Sequence, residues 1–290
     1  MTRRAAALLG LLLLALGGLP GETEAASWDP ALRWNTLYTE NFAIHFHQGE
    51  TELAIELAHV TEEVHAILSP YLEWKPFRRT QVVIVDPTDG ANGYASSVPN
   101  NTIVLYAVQP TPDSSLDNYE NWLWAIFVHE YTHTLQIDMI GGLPRVARAV
   151  LGRMIMPNAV MPRWLTEGFA VYTETRFTTG GRGRSTYTDM LLRSAALDRA
   201  LPPIDTLEGY GQRWPRGQLR YLHGGRFHFE VERRAPNGDR AWVDFHQRHG
   251  RGIIPFFLPA KKSFGLTFSR MWKDWKVDLA AHYQAEADRL

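Results

Sequence analysis

Two histidines and two glutamates are the residues of this chain best suited to chemistry. His129 and His133 are four positions apart, and Glu130 follows the first of them. Residues four apart on an α-helix share a face, so both imidazoles can bind one metal ion. Glu167, on a second helix, would complete three protein ligands and leave a fourth position open, which is typical of a catalytic zinc site. Glu130 would then lie beside the metal as a general base.

Both segments have the sequence pattern of helices. Residues 119–137 contain neither Gly nor Pro, and residues 163–176 are also helical in pattern. One face of the first segment carries two apolar residues and both histidines at helical spacing: Trp122, Ile126, His129 and His133. Imidazoles on a buried stripe need polar partners, and a metal ion supplies one. The alternative is an amphipathic helix whose histidines are merely buried or exposed, and the two-segment pattern favours zinc.

These residues resemble the gluzincin zinc metallopeptidases, the superfamily of thermolysin and the aminopeptidase-N type enzymes. The likeness rests on His-Glu-x-x-His at 129–133 and Trp-Leu-x-Glu-Gly-Phe-Ala at 164–170, and it is closest to the bacterial peptidase-MA-like family. It covers most of the chain, including 41–46, 82–86, 91–93 and 99–106. The resemblance implies a zinc peptidase fold with one Zn²⁺ ion. It assigns the ligands to His129, His133 and Glu167, and the base to Glu130.

A third matching phrase is Tyr-Leu-His-Gly at 221–224. In aminopeptidase-N type gluzincins, a Tyr-x-x-Gly at the start of a later helix supplies the phenol that stabilises the oxyanion. The resemblance therefore gives that role to Tyr221. His223 is a rival donor, because thermolysin-type enzymes use His and Tyr together. Simple packing of Tyr221 against a helix is the structural alternative, and the choice stays open.

The chain lacks two motifs of other zinc peptidases, and their absence narrows the class of peptidase that we expect. Metzincins need Gly and His at the third and sixth positions after the second histidine, where this chain has Gln136 and Met139. Aminopeptidase-N relatives recognise a free amine through Gly-x-Met-Glu-Asn, which this chain lacks, so we favour an endopeptidase acting on peptides or proteins. The rival hypothesis is a domain that retains zinc and scaffolds envelope proteins without cleaving them. An intact Glu130 argues against that rival.

Three further expectations concern the surroundings of the site. Glu174 lies two turns beyond Glu167 on the same helix face, where it would hold an imidazole N–H, although a solvated acid is the alternative. The Gly-rich stretch 178–184 is interpreted as a flexible loop with its two arginines in solvent. Residues 102–108 are predicted to form the edge strand that seats a substrate by β-addition. An interior strand is the alternative for this continuous apolar run.

The order of strand and helix patterns predicts the fold class. Strand patterns occupy 41–47, 80–86 and 102–108, with a helix at 50–69. Helical patterns follow at 119–139, 163–177, 186–199, 217–233, 239–248 and 267–287. We therefore expect an α+β, zincin-like protein with a small N-terminal mixed sheet lobe. That lobe would span 27–142 and end in the His-Glu-x-x-His helix, and a helical lobe at 143–290 would carry the third zinc ligand.

Composition and the first residues indicate an exported globular protein. Residues 1–26 resemble a secretory signal peptide, with Arg3 and Arg4 before an apolar run at 5–16. Whether it is cleaved or kept as an anchor stays open. The chain has no cysteine, which excludes disulfides, a cysteine-linked lipid anchor and a thiol nucleophile. We expect a periplasmic or extracellular location. A formal net charge of −1 without charge blocks argues against nucleic acid as a partner.

The segment 143–162, between the two ligand helices, is both apolar and basic. Arg145, Arg148 and Arg153 are interleaved with apolar residues at helical spacing. Such a helix can lie on an anionic membrane surface. It can equally pack beside the cleft, with Met156 and Met161 lining it. The pattern favours packing, and membrane contact is the alternative partner besides a peptide or protein substrate.

Overall fold

The structure, a computed structural model, describes residues 29–112, 114–209, 214–252 and 257–289. Trp34–Leu290 form one compact unit, and of the preceding part, Met1–Arg33, only residues 29–33 are described. The predicted signal peptide at 1–26 lies outside the described residues. Within Trp34–Leu290, a small N-terminal sheet precedes a mostly helical remainder, so the α+β prediction is confirmed at that level. The lobe boundary at residue 142 stays a prediction.

The sheet is mixed and has five strands in the described part of the chain. They are β1 (Trp34–Tyr38), β2 (Phe42–His47), β3 (Thr80–Val85), β4 (Gly93–Ser96) and β5 (Thr102–Tyr106). Their order across the sheet is β1-β2-β3-β5-β4. The central β2, β3 and β5 run parallel, and the outer strands pair antiparallel with their neighbours. Helix α1 (Thr51–Leu72) supplies the crossover that two parallel strands require between β2 and β3.

The predicted edge strand is wrong. Residues 102–106 form β5, which pairs with β3 on one side and β4 on the other, so the interior-strand alternative holds. Ile103, Val104 and Leu105 are buried, as the continuous apolar run of a central strand indicates. The edge strand next to β5 is β4, and β1 forms the opposite edge. The β4 sequence Gly-Tyr-Ala-Ser is short and lacks the apolar alternation that marks a strand.

Helices make up most of the chain after the sheet. They are α2 (Trp122–Asp138), α3 (Gly142–Leu151), α4 (Arg163–Arg176), α5 (Thr186–Leu197), α6 (Leu219–Arg234), α7 (Arg240–Gly250), α8 (Phe257–Phe264) and α9 (Phe268–Ala287). The side chain of Asn121 caps α2 by accepting the backbone N–H of Trp124 at 3.0 Å. Among the described helices, none combines the length and apolar character that crossing a membrane requires.

Helices α4 and α6 approach each other so closely that only glycine fits between them. A Cβ atom added to Gly168 would lie 2.7 Å from the backbone carbonyl carbon of Gly224, and one added to Gly224 would lie 2.8 Å from the Trp164 carbonyl oxygen. Both distances are below any normal contact, and the obstacle in each case is backbone. The Gly168 that follows Glu167 therefore has a packing role, since it lets α6 reach α4 beside the predicted metal ligand.

Candidate metal centre

Two helices bring the predicted metal ligands together. α2 places His129 and His133 one turn apart, with their ring centroids 4.9 Å from each other. α4 presents Glu167 to them from its second turn. The buried hydroxyls of Thr132 and Thr173 form a 2.7 Å hydrogen bond that links the two helices.

The geometry of these three side chains suits a metal ion. The Glu167 Oε2 lies 3.1 Å from His133 Nε2 and 3.7 Å from His129 Nε2. One ligand atom from each residue lies within 4.8 Å of the other two. Donors of a tetrahedral zinc ion, each about 2.1 Å from the metal, lie roughly 3.4 Å apart, and the two measured distances bracket that value. Two imidazoles and one carboxylate on a mostly buried wall could therefore hold a divalent metal ion.

Electrostatics keep Glu167, the candidate third ligand, ionised. Burial by itself raises the pKa of Glu167, but His133 and His129 outweigh it and hold the pKa well below its usual range. A carboxylate that stays ionised is a competent metal ligand at any physiological pH.

The orientation of His129 depends on a buried acid, Glu174, as the helix spacing predicts. Glu174 Oε2 lies 3.1 Å from His129 Nδ1. A proton on Nδ1 that is donated to Glu174 leaves Nε2 free for a metal. The Arg182 Nη2 also lies 2.7 Å from Nδ1 and could donate to it. The tautomer that binds metal through Nε2 is the one in which Glu174, and not Arg182, is the partner of Nδ1.

Arg182 is a residue of the site that the sequence did not identify, and its predicted solvation is wrong. Its side chain is buried, and its Nη2 donates to Glu174 Oε2 at 2.6 Å. Its backbone N–H donates to Glu174 Oε1 at 2.8 Å. Burial raises the pKa of Glu174, but Arg182 and His129 reverse this and lower it to about 2. Arg184, the other arginine of the loop, is exposed as expected.

The glycines around Arg182 explain how a loop residue becomes buried. Gly181 has φ +94°, and a Cβ added there would lie 2.7 Å from the Cα of Thr175 in α4. A left-handed backbone in direct contact with a helix requires glycine. The stretch interpreted as flexible is thus packed on α4, and it directs Arg182 toward the metal cluster. No periodic pattern could have revealed this.

The predicted base, Glu130, lies between the metal cluster and the edge strand. It is almost fully buried, and burial raises its pKa, while His129 and His133 oppose that shift. A Cβ added to Gly93 in β4 would lie 3.3 Å from Glu130 Cγ and 3.1 Å from Ile126 Cγ1. The strand can pass this close to the base because residue 93 has no side chain.

The metal cluster, Glu130 and β4 line one cavity of about 910 Å³, and Tyr221 lines it too. The Tyr221 ring lies 6.3 Å from the His129 ring, centroid to centroid. The guanidinium groups of Arg182 and Arg220 lie over it at 5.0 and 5.2 Å. Burial, and to a smaller extent Glu167, raises the pKa of Tyr221, so its phenol stays protonated and can donate a hydrogen bond. The structure therefore brings Tyr221 to the site.

His223 is not brought to this cavity, although it is only two residues beyond Tyr221. On a helix, that separation directs the two side chains to different faces. His223 is buried, neither ring nitrogen has a hydrogen-bond partner among the described residues, and burial lowers its pKa to about 4. Of the two predicted oxyanion donors, the geometry favours Tyr221.

Comparisons with known proteins do not show a family for this chain. No protein-family model matches the sequence. An uncharacterised protein of Treponema pallidum (strain Nichols) is 29% identical over 191 residues, which is 65% of this chain and 17% of that protein. Among solved structures, an aminopeptidase N family protein from Idiomarina loihiensis is similar with a TM-score of 0.35 and 14% identity, over 87% of this chain and 41% of that one. The chain thus spans less than half the length of either.

Proposed function

We propose that this protein is a zinc-dependent metallopeptidase of the gluzincin kind, an exported endopeptidase that acts on peptides or proteins. The observation that carries the proposal is the position of Glu130. It is a buried carboxylate next to a His-His-Glu donor cluster, on the wall of a cavity bounded by the edge strand of a sheet. A structural metal site has no use for such a base.

The three residues of the metal cluster and Glu130 each have a role in the proposed peptide hydrolysis. His129, His133 and Glu167 would hold the zinc ion, which when bound supplies positive charge to polarise a peptide carbonyl and acidify a water molecule. Glu130 would take the proton of the attacking water and pass it to the departing amine. Burial raises the pKa of Glu130, which suits this task, because a more basic carboxylate accepts the proton of water more readily.

The edge strand β4 is where we place the substrate backbone. Its outer side has no strand partner among the described residues, and three of its residues, Gly93, Tyr94 and Ala95, line the cavity. An extended peptide can add to such an edge through main-chain hydrogen bonds. This position would bring a peptide bond toward Glu130 on one side and Tyr221 on the other. Tyr221 would donate to the developing oxyanion, an interaction worth roughly 3 kcal/mol in comparable sites.

The substitution Glu130→Gln tests the proposal against a scaffold that retains zinc without cleaving. The amide has the same shape but cannot accept the proton, so we expect hydrolysis of a quenched peptide or casein to fall by about 10²- to 10⁴-fold. Zinc content, measured by mass spectrometry of the purified protein, should not change. Glu56→Gln, at an exposed position of α1, is the matched control and should keep full activity.

Equal turnover by the wild type and Glu130→Gln would contradict the peptidase proposal. If both are inactive on a denatured proteome while zinc is bound, the scaffold hypothesis takes its place. If the wild type binds no zinc, the roles of His129, His133 and Glu167 fail as well.

A further inference from the structure

Helix α3 and the turn after it present apolar side chains to solvent. Five of them are between 61% and 82% exposed: Leu143, Val146, Val150, Leu151 and Met154. The residues at 143, 146 and 150 lie on one helix face. A helix on the surface of a globular protein normally turns its apolar face inward. Of the two methionines expected to line the cleft, Met161 lines the candidate metal cavity, and Met156 is not among its lining residues.

The inward side of α3 is held by ion pairs, which fixes the apolar face outward. Arg148 Nη2 lies 2.6 Å from Asp138 Oδ1, and Arg153 Nη2 lies 2.9 Å from the same atom. Asp138 is fully buried. Arg153 also donates to the Ser97 carbonyl at 2.6 Å. Turning the apolar face inward would require breaking a buried carboxylate network, which is costly.

A cationic cavity adjoins this apolar face. It has a volume of about 800 Å³ and is lined by Arg78, Arg79, Arg148 and Arg153, with no acidic residue among the described lining residues. Residues 139–166 likewise contain four arginines and no Asp or Glu. The exposed Phe77 lines the same cavity, and the Arg145 guanidinium lies 5.3 Å from its ring centroid, so the cavity and the α3 face form one surface.

We propose that this surface, which we call the α3 surface, docks on an anionic lipid membrane. It comprises the five exposed apolar residues, Phe77 and the arginines of the cavity and of α3. The apolar side chains would enter the boundary between headgroups and acyl chains. The exposed Arg78, Arg79 and Arg145 would meet the phosphates of the headgroups, while Arg148 and Arg153 stay paired with Asp138. Pairing of two copies through this surface is disfavoured, because symmetry would place two arginine clusters against each other.

Vesicle co-sedimentation tests the docking. The probe is a set of vesicles of equal parts phosphatidylglycerol and phosphatidylcholine, compared with vesicles of phosphatidylcholine alone. The chain is used from residue 27, because the apolar run at 5–16 would bind lipid by itself and Trp34–Leu290 form a compact unit. We expect binding to the anionic vesicles only, weakening as ionic strength rises from about 0.01 M to about 0.15 M.

Two sets of variants, each with its own control, separate the apolar and the charged contributions to membrane binding. Val146→Asp with Val150→Asp should lower partitioning by at least about tenfold, since both side chains would have to enter the membrane. Val277→Asp, at a 66% exposed position of α9, is the matched control and should bind like the wild type. Arg78→Gln and Arg145→Gln should each weaken binding by about fivefold. Arg270→Gln, on α9, is their control.

Three results would overturn the docking proposal. The first is that the protein does not sediment with anionic vesicles at low salt. The second is that the variant with Val146→Asp and Val150→Asp sediments as well as the wild type. The third is that the protein forms a dimer without lipid and that this variant abolishes the dimer. All these variants leave the metal cavity intact, so hydrolysis of a soluble peptide should be unchanged. Failure of membrane docking and failure of the peptidase proposal are therefore distinguishable.

Discussion

Glu174 is the residue that fixes how the metal cluster is presented. Its carboxylate faces His129 Nδ1 on one side and receives the backbone and side-chain N–H groups of Arg182 on the other. With its pKa held at about 2, it carries a full negative charge at neutral pH. A charged acceptor on Nδ1 makes the opposite nitrogen, Nε2, a stronger metal donor. Arg182 offsets the cost of burying that charge.

The substitution Glu174→Gln should lower zinc affinity by about 10- to 100-fold. It should also lower the free energy of unfolding, because the buried Arg182 guanidinium loses its charged partner. The amide can still accept the His129 N–H, but it no longer makes the imidazole more basic. Competition with a chromophoric chelator measures the change. Glu232→Gln, which removes an acid from an ion pair with Arg176 on the other side of α4, is the control. Unchanged zinc affinity would mean that Glu174 only anchors the loop.

The crossing of α4 and α6 determines where Glu167, the candidate third ligand, and Tyr221 lie. The two helices touch through backbone at Gly168 and Gly224. No side chain lies between them at this point, so none can move aside if the distance between the helices changes. Glu167 precedes one of these glycines, and Tyr221 is one turn before the other. Any widening of the crossing therefore moves Glu167 away from α2, or Tyr221 away from Glu167.

The substitution Gly224→Ala should destabilise the protein by about 1–3 kcal/mol, because the added methyl group meets the Trp164 carbonyl. We expect zinc affinity to fall as well, since α4 carries Glu167. Urea unfolding and zinc titration measure the two effects. Gly90→Ala is the control, because its Cβ would meet only the Thr88 hydroxyl at 3.7 Å. Full stability in Gly224→Ala would refute the close crossing.

For the whole molecule, a group of buried neutral histidines sets the stability in acid. Burial lowers the pKa of His228 to about 3, that of His249 to about 4, and that of His246 well below its usual value. The His246 ring packs 4.4 Å from the Phe169 ring, and its Nε2 has no partner among the described residues. In the unfolded chain, histidines take up protons near pH 6.5.

These histidines make the protein less stable as the pH falls. Between about pH 6.5 and about pH 4 the unfolded state binds more protons than the folded state, so the free energy of unfolding decreases toward acid. Each unit of pKa difference corresponds to about 1.4 kcal/mol. We expect His246→Gln to flatten this dependence, measured by urea unfolding of the zinc-free protein from pH 7.5 to 5. The exposed His282→Gln should keep the wild-type slope. Equal slopes in all three proteins would contradict this account.

Predictions about single helices succeeded where the 3.6-residue helical repeat alone places the side chains. The 3.6-residue repeat places His129 above His133, and it places Glu174 on the same face as Glu167. Both relations hold in the structure. The long helical patterns after residue 119 correspond to real helices for the same reason. Two short strands were missed, β1 and β4, because neither Trp-Asn-Thr-Leu-Tyr at 34–38 nor the four residues that begin with Gly93 alternate apolar and polar residues.

The candidate metal donors, their spacing along each helix and the α+β order of elements follow from the sequence alone. Contacts between distant parts of the chain are needed to place β4 at the edge next to β5, to turn Arg182 inward, to keep His223 from the cavity and to turn the apolar face of α3 outward. The difference lies in the range of the interactions. Helical spacing depends on neighbours within four residues, whereas Arg182 is buried by contacts with α2 and α4, and β4 becomes the edge only once the whole sheet is assembled.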